Sequence, residues 1–227
     1  MIDTSKFATN FPKLESPFKR EKIDGKFVCI PEITNKYRWF IEEGTIAVDK
    51  IEGTGTSVCI LNGSVYKIIN RSHGVDIYNK NNMRFYEGVV NAIDKGYFIP
   101  SFDGQFFGEL IGPKIRKNRY NLKESIWIPF QHLIEKYRLD YWSEIITQCE
   151  NKSDEEIFNI ISDFFKGLWS LFKTKRGEKG VVDETTPFED NYVAEGLVFY
   201  NQDGEMCKLR RDMFDWYTGK VYRKEGM

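Results

Sequence analysis

The chain has 227 residues, room for one large domain or one domain with a small appendage. An apolar share of 41% with 15% aromatics suits a globular protein with a well-filled core, and 33 cationic against 34 acidic residues exclude recognition of nucleic acid by bulk charge. No apolar run reaches the roughly 18 residues of a membrane span, and MIDTSKFATNFPK lacks the apolar segment of a secretory signal, so an intracellular protein is expected.

Residues 1–44 are mixed and polar, broken at Pro12, Pro17 and Pro31, and read as N-terminal strands and loops. From Thr45 to Gly112 the pattern is that of a sheet. TIAV leads into Lys50, and TSVCIL and SVYKII follow, separated by Asn62-Gly63, the strongest short hairpin signal. GVVNAI, GYFIPSF and QFFGELIG read as further strands. PKIRKNRYNLK, from Pro113 to Lys123, carries five cations and no acid. It is either a solvated loop or a patch that tracks a phosphate backbone. FKTKRGEKG, near Lys173, is also basic.

A helical insertion is expected over residues 130–174. One helix is predicted from Phe130 to Cys149. A second begins at Ser153-Asp-Glu-Glu156, a capping box, and carries a core-facing stripe of Ile157, Ile160, Ile161, Phe164, Phe165, Leu168, Trp169 and Phe172. Residues 190–215 then form a hairpin, YVAEGLVFY returning as EMCKLRRDMF. Grouped rather than alternating helices argue for an α+β fold with mainly antiparallel sheets. Cys29, Cys59, Cys149 and Cys207 are scattered without a CxxC pair, and His73 and His132 are the only histidines. That set points to reduced thiols and away from a zinc site.

If Asp203-Gly204 is a two-residue turn, Phe199 faces Lys208, Leu197 faces Arg210 and Glu195 faces Asp212. One carboxylate and two cations then share one side of the ribbon. Such a set is either a solvated face with weak ion pairs or part of a site. The spelling Lys-x-Asp/Glu-Gly occurs twice, at Lys22 in EKIDGKF and at Lys50 in DKIEGTG.

Five segments, in order, resemble the signature of the covalent nucleotidyltransferases, the superfamily of ATP-dependent RNA ligases, DNA ligases and capping enzymes. Lys50-Ile51-Glu52-Gly53 is similar to the nucleophile motif, and Arg71 to the arginine that follows it in RNA ligases. FFGELIG, Phe106 to Gly112, is similar to the third motif, Glu195-Gly-Leu-Val198 to the fourth and Lys208-Leu-Arg210 to the fifth. Glu52 departs from the usual Asp, and Arg210 from the usual Lys. These distances favour Lys50 over Lys22, which follows a polar stretch with no strand to fix it. The resemblance implies a single nucleotidyltransferase (ATP-grasp-like ligase adenylation) domain over residues 1–227. With 16 residues after Arg211 no OB domain is expected, which favours the small RNA ligases of vertebrates and large DNA viruses.

The implied chemistry is attack of Lys50 on the α-phosphorus of ATP, transfer of AMP to an RNA 5′-phosphate, and sealing by a 3′-hydroxyl. Asp49, Ile51 and Gly53 are implied around the nucleotide, Asp49 near the adenine amino group. Glu109 is implied at the ribose, Glu195 at Mg²⁺ (or Mn²⁺), and Lys208 and Arg210 on the phosphates. Trp127, with Phe130 as second choice, is implied to stack on adenine. RNA contacts are expected from Arg71, which also reaches the ribose, and from Lys114, Arg116, Lys117 and Arg119. The protein is expected to be a monomer. A capping-type guanylyltransferase and an inactive nucleic-acid-binding protein of the same fold are the alternatives.

Overall fold

A computed structural model describes residues 7–8, 11, 13–172 and 193–218. In chain order the strands are β1 (Phe18–Ile23), β2 (Lys26–Ile33), β3 (Ile46–Asp49), β4 (Thr54–Leu61), β5 (Ser64–Asn70), β6 (His73–Gly74), β7 (Gly104–Ile111), β8 (Ile126–Pro129), β9 (Gly196–Tyr200) and β10 (Met206–Arg210). The α-helices are α1 (Met83–Asp94), α2 (Phe130–Lys136), α3 (Trp142–Cys149) and α4 (Asp154–Lys166). All strand pairing among the described residues is antiparallel, in keeping with an α+β fold. No helix among the described residues is long and apolar enough to cross a membrane. The described residues fall into two compact units, drawn from 1–13 with 52–136 and from 14–51 with 137–227.

The first unit is a five-stranded sheet in the order β6-β5-β4-β7-β8. Asn62 and Gly63, both at positive φ, turn β4 into β5 as predicted. GVVNAI is not a strand. It lies in α1, whose buried residues Phe85, Gly88, Val89 and Ala92 repeat at helical spacing. Phe85, three residues before that run, is what reveals the period. The helix lies tightly on the sheet: a Cβ on Gly88 would strike the Leu110 side chain. GYFIPSF is a loop. Phe98 enters the core, Ile99 is exposed and Pro100 has no amide hydrogen for a ladder.

The second unit holds the β1-β2 hairpin and a three-stranded sheet in the order β10-β9-β3. Phe18, Phe40, Phe165, Phe199, Trp142 and Phe214 fill its core. The predicted helix from Phe130 to Cys149 is two helices, because the segment between them pairs with an edge strand. The Asp49 amide donates to the Tyr137 carbonyl (3.0 Å) and the Leu139 amide to the Ala47 carbonyl (2.8 Å). The Ser153–Glu156 capping box is present, and Asp154 accepts from the Ile33 amide at 2.9 Å. α4 ends at Lys166, so Leu168, Trp169 and Phe172 extend the apolar stripe beyond the helix, with Leu168 and Phe172 buried. The basic run after Phe172, the end of the expected helical insertion (173–174) and the start of the expected hairpin (190–192) lie outside the described residues.

The last hairpin differs from expectation by one residue. Phe199 pairs with Cys207, Leu197 with Leu209 and Gly196 with Arg210. The connection is not a two-residue turn but a loop over residues 201–205. The Asn201 side-chain oxygen accepts from the Asp203 amide (3.1 Å) and the Glu205 amide (2.8 Å). One residue of slip exchanges faces. Leu197, Phe199, Cys207 and Leu209 go inward, and Val198, Lys208 and Arg210 share the other face.

Candidate functional site

Lys50 extends β3 by one residue, its amide donating to the Gly196 carbonyl at 2.9 Å. Lys50, Gly196 and Arg210 therefore form one row across three strands, and Val48, Val198 and Lys208 the next. Alternation puts Lys50, Lys208 and Arg210 on one face. Gly196 keeps the middle of the row free of a side chain; a Cβ there would strike the Leu209 carbonyl and stand 2.7 Å from the Arg210 Cα. The Lys50 Nζ donates to the Glu195 Oε2 at 2.7 Å, and an Arg210 terminal nitrogen lies 3.8 Å from the other Glu195 oxygen. The Lys50 and Glu195 side chains are 19% and 20% exposed, so the pair is largely withdrawn from water. Arg210 also pairs with Asp212 through Nε at 3.0 Å. The convergence of charge expected of this hairpin thus exists through different register partners.

Asp49 points the other way. It is 2% exposed, and its Oδ2 accepts from the Ser170 hydroxyl (2.7 Å) and the Phe172 amide (3.0 Å). Burial, then the nearby Asp49 charge, pushes the Tyr141 phenol above its ordinary range. The implied place of Asp49 beside adenine is corrected to that of a buried anchor for the chain after α4. The Ile51 side chain is also buried and offers a ligand only its backbone.

Lys22 is corrected in another way. It lies within β1, opposite Phe27, and Asp24-Gly25 is the positive-φ turn of the hairpin. The sequence KIDG at this point is strand and turn, and the Lys22 side chain is exposed.

In the first unit, Glu109 stands on β7 opposite Gly55 and is half-buried. A Cβ on Gly53 would strike the Leu110 carbonyl and lie 2.7 Å from the Glu109 Cγ. The glycine is needed by its own packing against β7. Glu52 is held by Arg119 at 2.6 Å, and its amide donates to the Tyr120 hydroxyl at 2.7 Å. Arg119, expected on RNA, is thus engaged with Glu52. The Arg116 Nε donates to the Gly53 carbonyl at 3.3 Å, and Lys114 and Arg71 are exposed. The side chain of Lys117 lies outside what is described.

Trp127 is fully buried, its indole N–H donating to the Thr56 carbonyl at 3.0 Å and its ring edge-on to Phe98. Gly108 leaves space for that indole. Trp127 is core, and the stacking role implied for it is withdrawn. Phe130, the second choice, is half-buried at the start of α2 and meets Phe11 edge-on at 5.9 Å. Sequence reasoning passed over Arg84 and Tyr120. Arg84 had one signal, a cation in the first turn of a helix, where acids are favoured.

No group of three or more His, Cys, Asp or Glu side chains among the described residues forms a protein-only metal cage. Glu195 is the carboxylate beside Lys50. A single carboxylate suits an ion such as Mg²⁺, which keeps water and takes its other oxygens from phosphates.

No protein-family model and no curated protein sequence matches this chain. Among solved structures, the chain is similar to RNA ligase of Naegleria gruberi. An apo variant shares 18% identity over 88% of this chain and 57% of that one, with a TM-score of 0.46. A variant with ATP and manganese gives the same four values. The form with pyrophosphate shares 17% over 75% and 51%, with a TM-score of 0.43. This chain therefore spans little more than half the length of those structures, and the role of each residue rests on its own surroundings.

Proposed function

We propose that this protein is an ATP-dependent RNA ligase that joins a 5′-phosphate to a 3′-hydroxyl through a lysyl-AMP intermediate. The observation that carries the reading is the Lys50 amine, placed 2.7 Å from Glu195 on the sheet face that also bears Lys208 and Arg210. A primary amine beside one carboxylate and two further cations suits attack on a phosphate and stabilisation of the charge that leaves. The Lys50 Nζ bonds to the α-phosphorus, the bond to the β-phosphate oxygen breaks, and pyrophosphate departs. Lys208 and Arg210 neutralise the phosphates. Glu109 is assigned to the ribose, Phe130 to the adenine face, and Arg71, Lys114, Arg116 and Lys117 to RNA. Glu195 would hold Mg²⁺, whose contribution is charge neutralisation on phosphate oxygens. Transfer of AMP to the RNA end and sealing by the 3′-hydroxyl follow at the same face.

The test is incubation with α-labelled ATP and Mg²⁺. An acid-stable labelled protein band is expected with ATP and not with GTP, absent in Lys50→Ala and retained in Lys22→Ala. A band that forms with GTP alone would make the protein a capping-type guanylyltransferase. No band with either nucleotide would leave the reading without its first step.

A further inference from the structure

The first unit contains a concentration of cations of its own. Arg71, Arg84, Lys114 and Arg116 line an open cleft of about 280 Å³, together with Thr54 and Asn70. At about 30 Å³ per water molecule this holds roughly nine waters, ample for a tetrahedral oxyanion and part of its hydration. No acidic residue lines it. Like charges gathered in a concave site repel one another unless an anion joins them. Elsewhere the protein provides such partners: Arg119 has Glu52, and Arg210 has Glu195 and Asp212. Among the described residues, none of the four cations of the cleft has an ion pair. The Arg84 guanidinium lies over the Phe85 ring at 5.3 Å, but its Nε is buried without a hydrogen-bond partner.

The supporting groups add donors. The Thr54 hydroxyl donates to the Asn70 side-chain oxygen at 3.3 Å, which leaves the Asn70 amide NH₂ as a donor. Arg84 is the second residue of α1, whose first turn has no acid and whose Asn82 makes no side-chain cap. The helix end thus contributes partial positive charge. Arg71, Lys114 and Arg116 all have left-handed backbones, with φ of 55°, 62° and 41°.

We propose that this cleft seats a phosphate monoester, the 5′-terminal phosphate of the RNA strand. The choice of a terminal phosphate over an internal one follows from charge. A backbone diester brings one negative charge, and a monoester close to two. Four cations without a counter-carboxylate match the larger value. The source of that phosphate rests on the ligase reading; the oxyanion site itself does not. The other source of the same chemistry is the polyphosphate of a nucleotide.

The experiment measures binding of two RNA oligonucleotides of one sequence, 5′-phosphorylated and 5′-hydroxyl, to the wild type, Arg84→Gln and Arg84→Lys. Lysine-adenylate formation is measured at several ATP concentrations in parallel. The wild type is expected to prefer the 5′-phosphate by about tenfold or more, as charge-assisted hydrogen bonds to a dianion give. Arg84→Gln should lose that preference, keep its affinity for the 5′-hydroxyl strand and keep its ATP dependence. Arg84→Lys should recover part of the preference. Equal affinity of the wild type for both strands overturns the proposal, as does an Arg84→Gln that keeps the preference. A raised ATP requirement in Arg84→Gln assigns the cleft to the nucleotide polyphosphate and overturns the RNA-end assignment. If Arg84→Gln does not fold, Lys114→Gln, at an exposed position, replaces it, read only on loss of the 5′-phosphate preference. Adenylate formation that fails in the wild type while the 5′-phosphate preference persists defeats the ligase reading and leaves the cleft standing.

Discussion

At the scale of single residues, the alternation of a strand separates neighbours that a motif groups together. Asp49 and Lys50 are adjacent, so their side chains leave β3 on opposite faces. One is a buried anchor for Ser170 and Phe172, the other a partner of Glu195. That separation was available from the sequence once TIAV was read as a strand. Which of the two faces the core was not, since it depends on β9. The Lys50–Glu195 pair has a thermodynamic consequence. Each partner is about four-fifths withdrawn from water, so removing one leaves the other desolvated without its counter-charge. Lys50→Met and Glu195→Met should each lower stability by about 1–3 kcal/mol, below the range for fully buried pairs because residual solvent screens both. The double variant should cost less than the sum of the two, as measured in a cycle by urea unfolding. Strict additivity would mean that the contact contributes nothing.

At the scale of elements, the features set by local chemistry were legible and those set by neighbours were not. Ser153 and Glu156 cap α4 through groups three residues apart, and Asn62-Gly63 closes its hairpin with its own φ angles. Asp24-Gly25 carried the same signal, hidden by its overlap with KIDG. Trp127 was misplaced because a large aromatic near a motif reads alike whether it stacks on a ligand or fills a core. Only the sheet order β4-β7-β8 and α1 above it bury the ring. The β9–β10 register failed for a local reason: Asn201 begins the turn two residues before Asp203-Gly204. The Asn201 side chain also donates to Glu205 at 3.0 Å, adding to two backbone bonds of the loop, Asn201 amide to Glu205 carbonyl and Gly204 amide to Asn201 carbonyl, both 3.2 Å. Asn201→Ala removes the side-chain bonds and should lower stability by about 1–2 kcal/mol. It should also slow adenylate formation, because the loop fixes the register that places Lys208 and Arg210 on the Lys50 face. Urea unfolding and the labelling assay read the two effects separately. A variant as stable and as fast as the wild type would show that strand packing alone sets the register.

At the scale of the molecule, the described residues of each unit build a hydrophobic interior of their own, the first unit's in two clusters. One cluster, with Phe18, Phe40, Trp142 and Phe199, draws all its buried residues from 14–51 and 137–227. The others, with Val58, Leu110 and Trp127 and with Phe7 and Cys59, draw theirs from 1–13 and 52–136. The four cysteines divide between these interiors, Cys59 in one and Cys29, Cys149 and Cys207 in the other, and all four are buried. Thiol reagents attack the thiolate. Burial pushes every one of these thiols up, Cys29 and Cys149 to about 11, so the folded protein offers almost no thiolate at pH 8. The sign of the linkage follows: the neutral thiols favour the folded state fully below the ordinary value near 9, and that support is lost as pH rises from 9 towards 11. At pH 8 labelling must therefore pass through opening of the core that holds each cysteine. In urea below the unfolding midpoint, Cys59 is expected to label at one rate and the three others together at a second, as resolved by mass spectrometry of peptides after a timed pulse. A single common rate for all four would show that the two interiors open as one cooperative unit. Rapid labelling of any of the four without urea would show that its thiol is not enclosed as described.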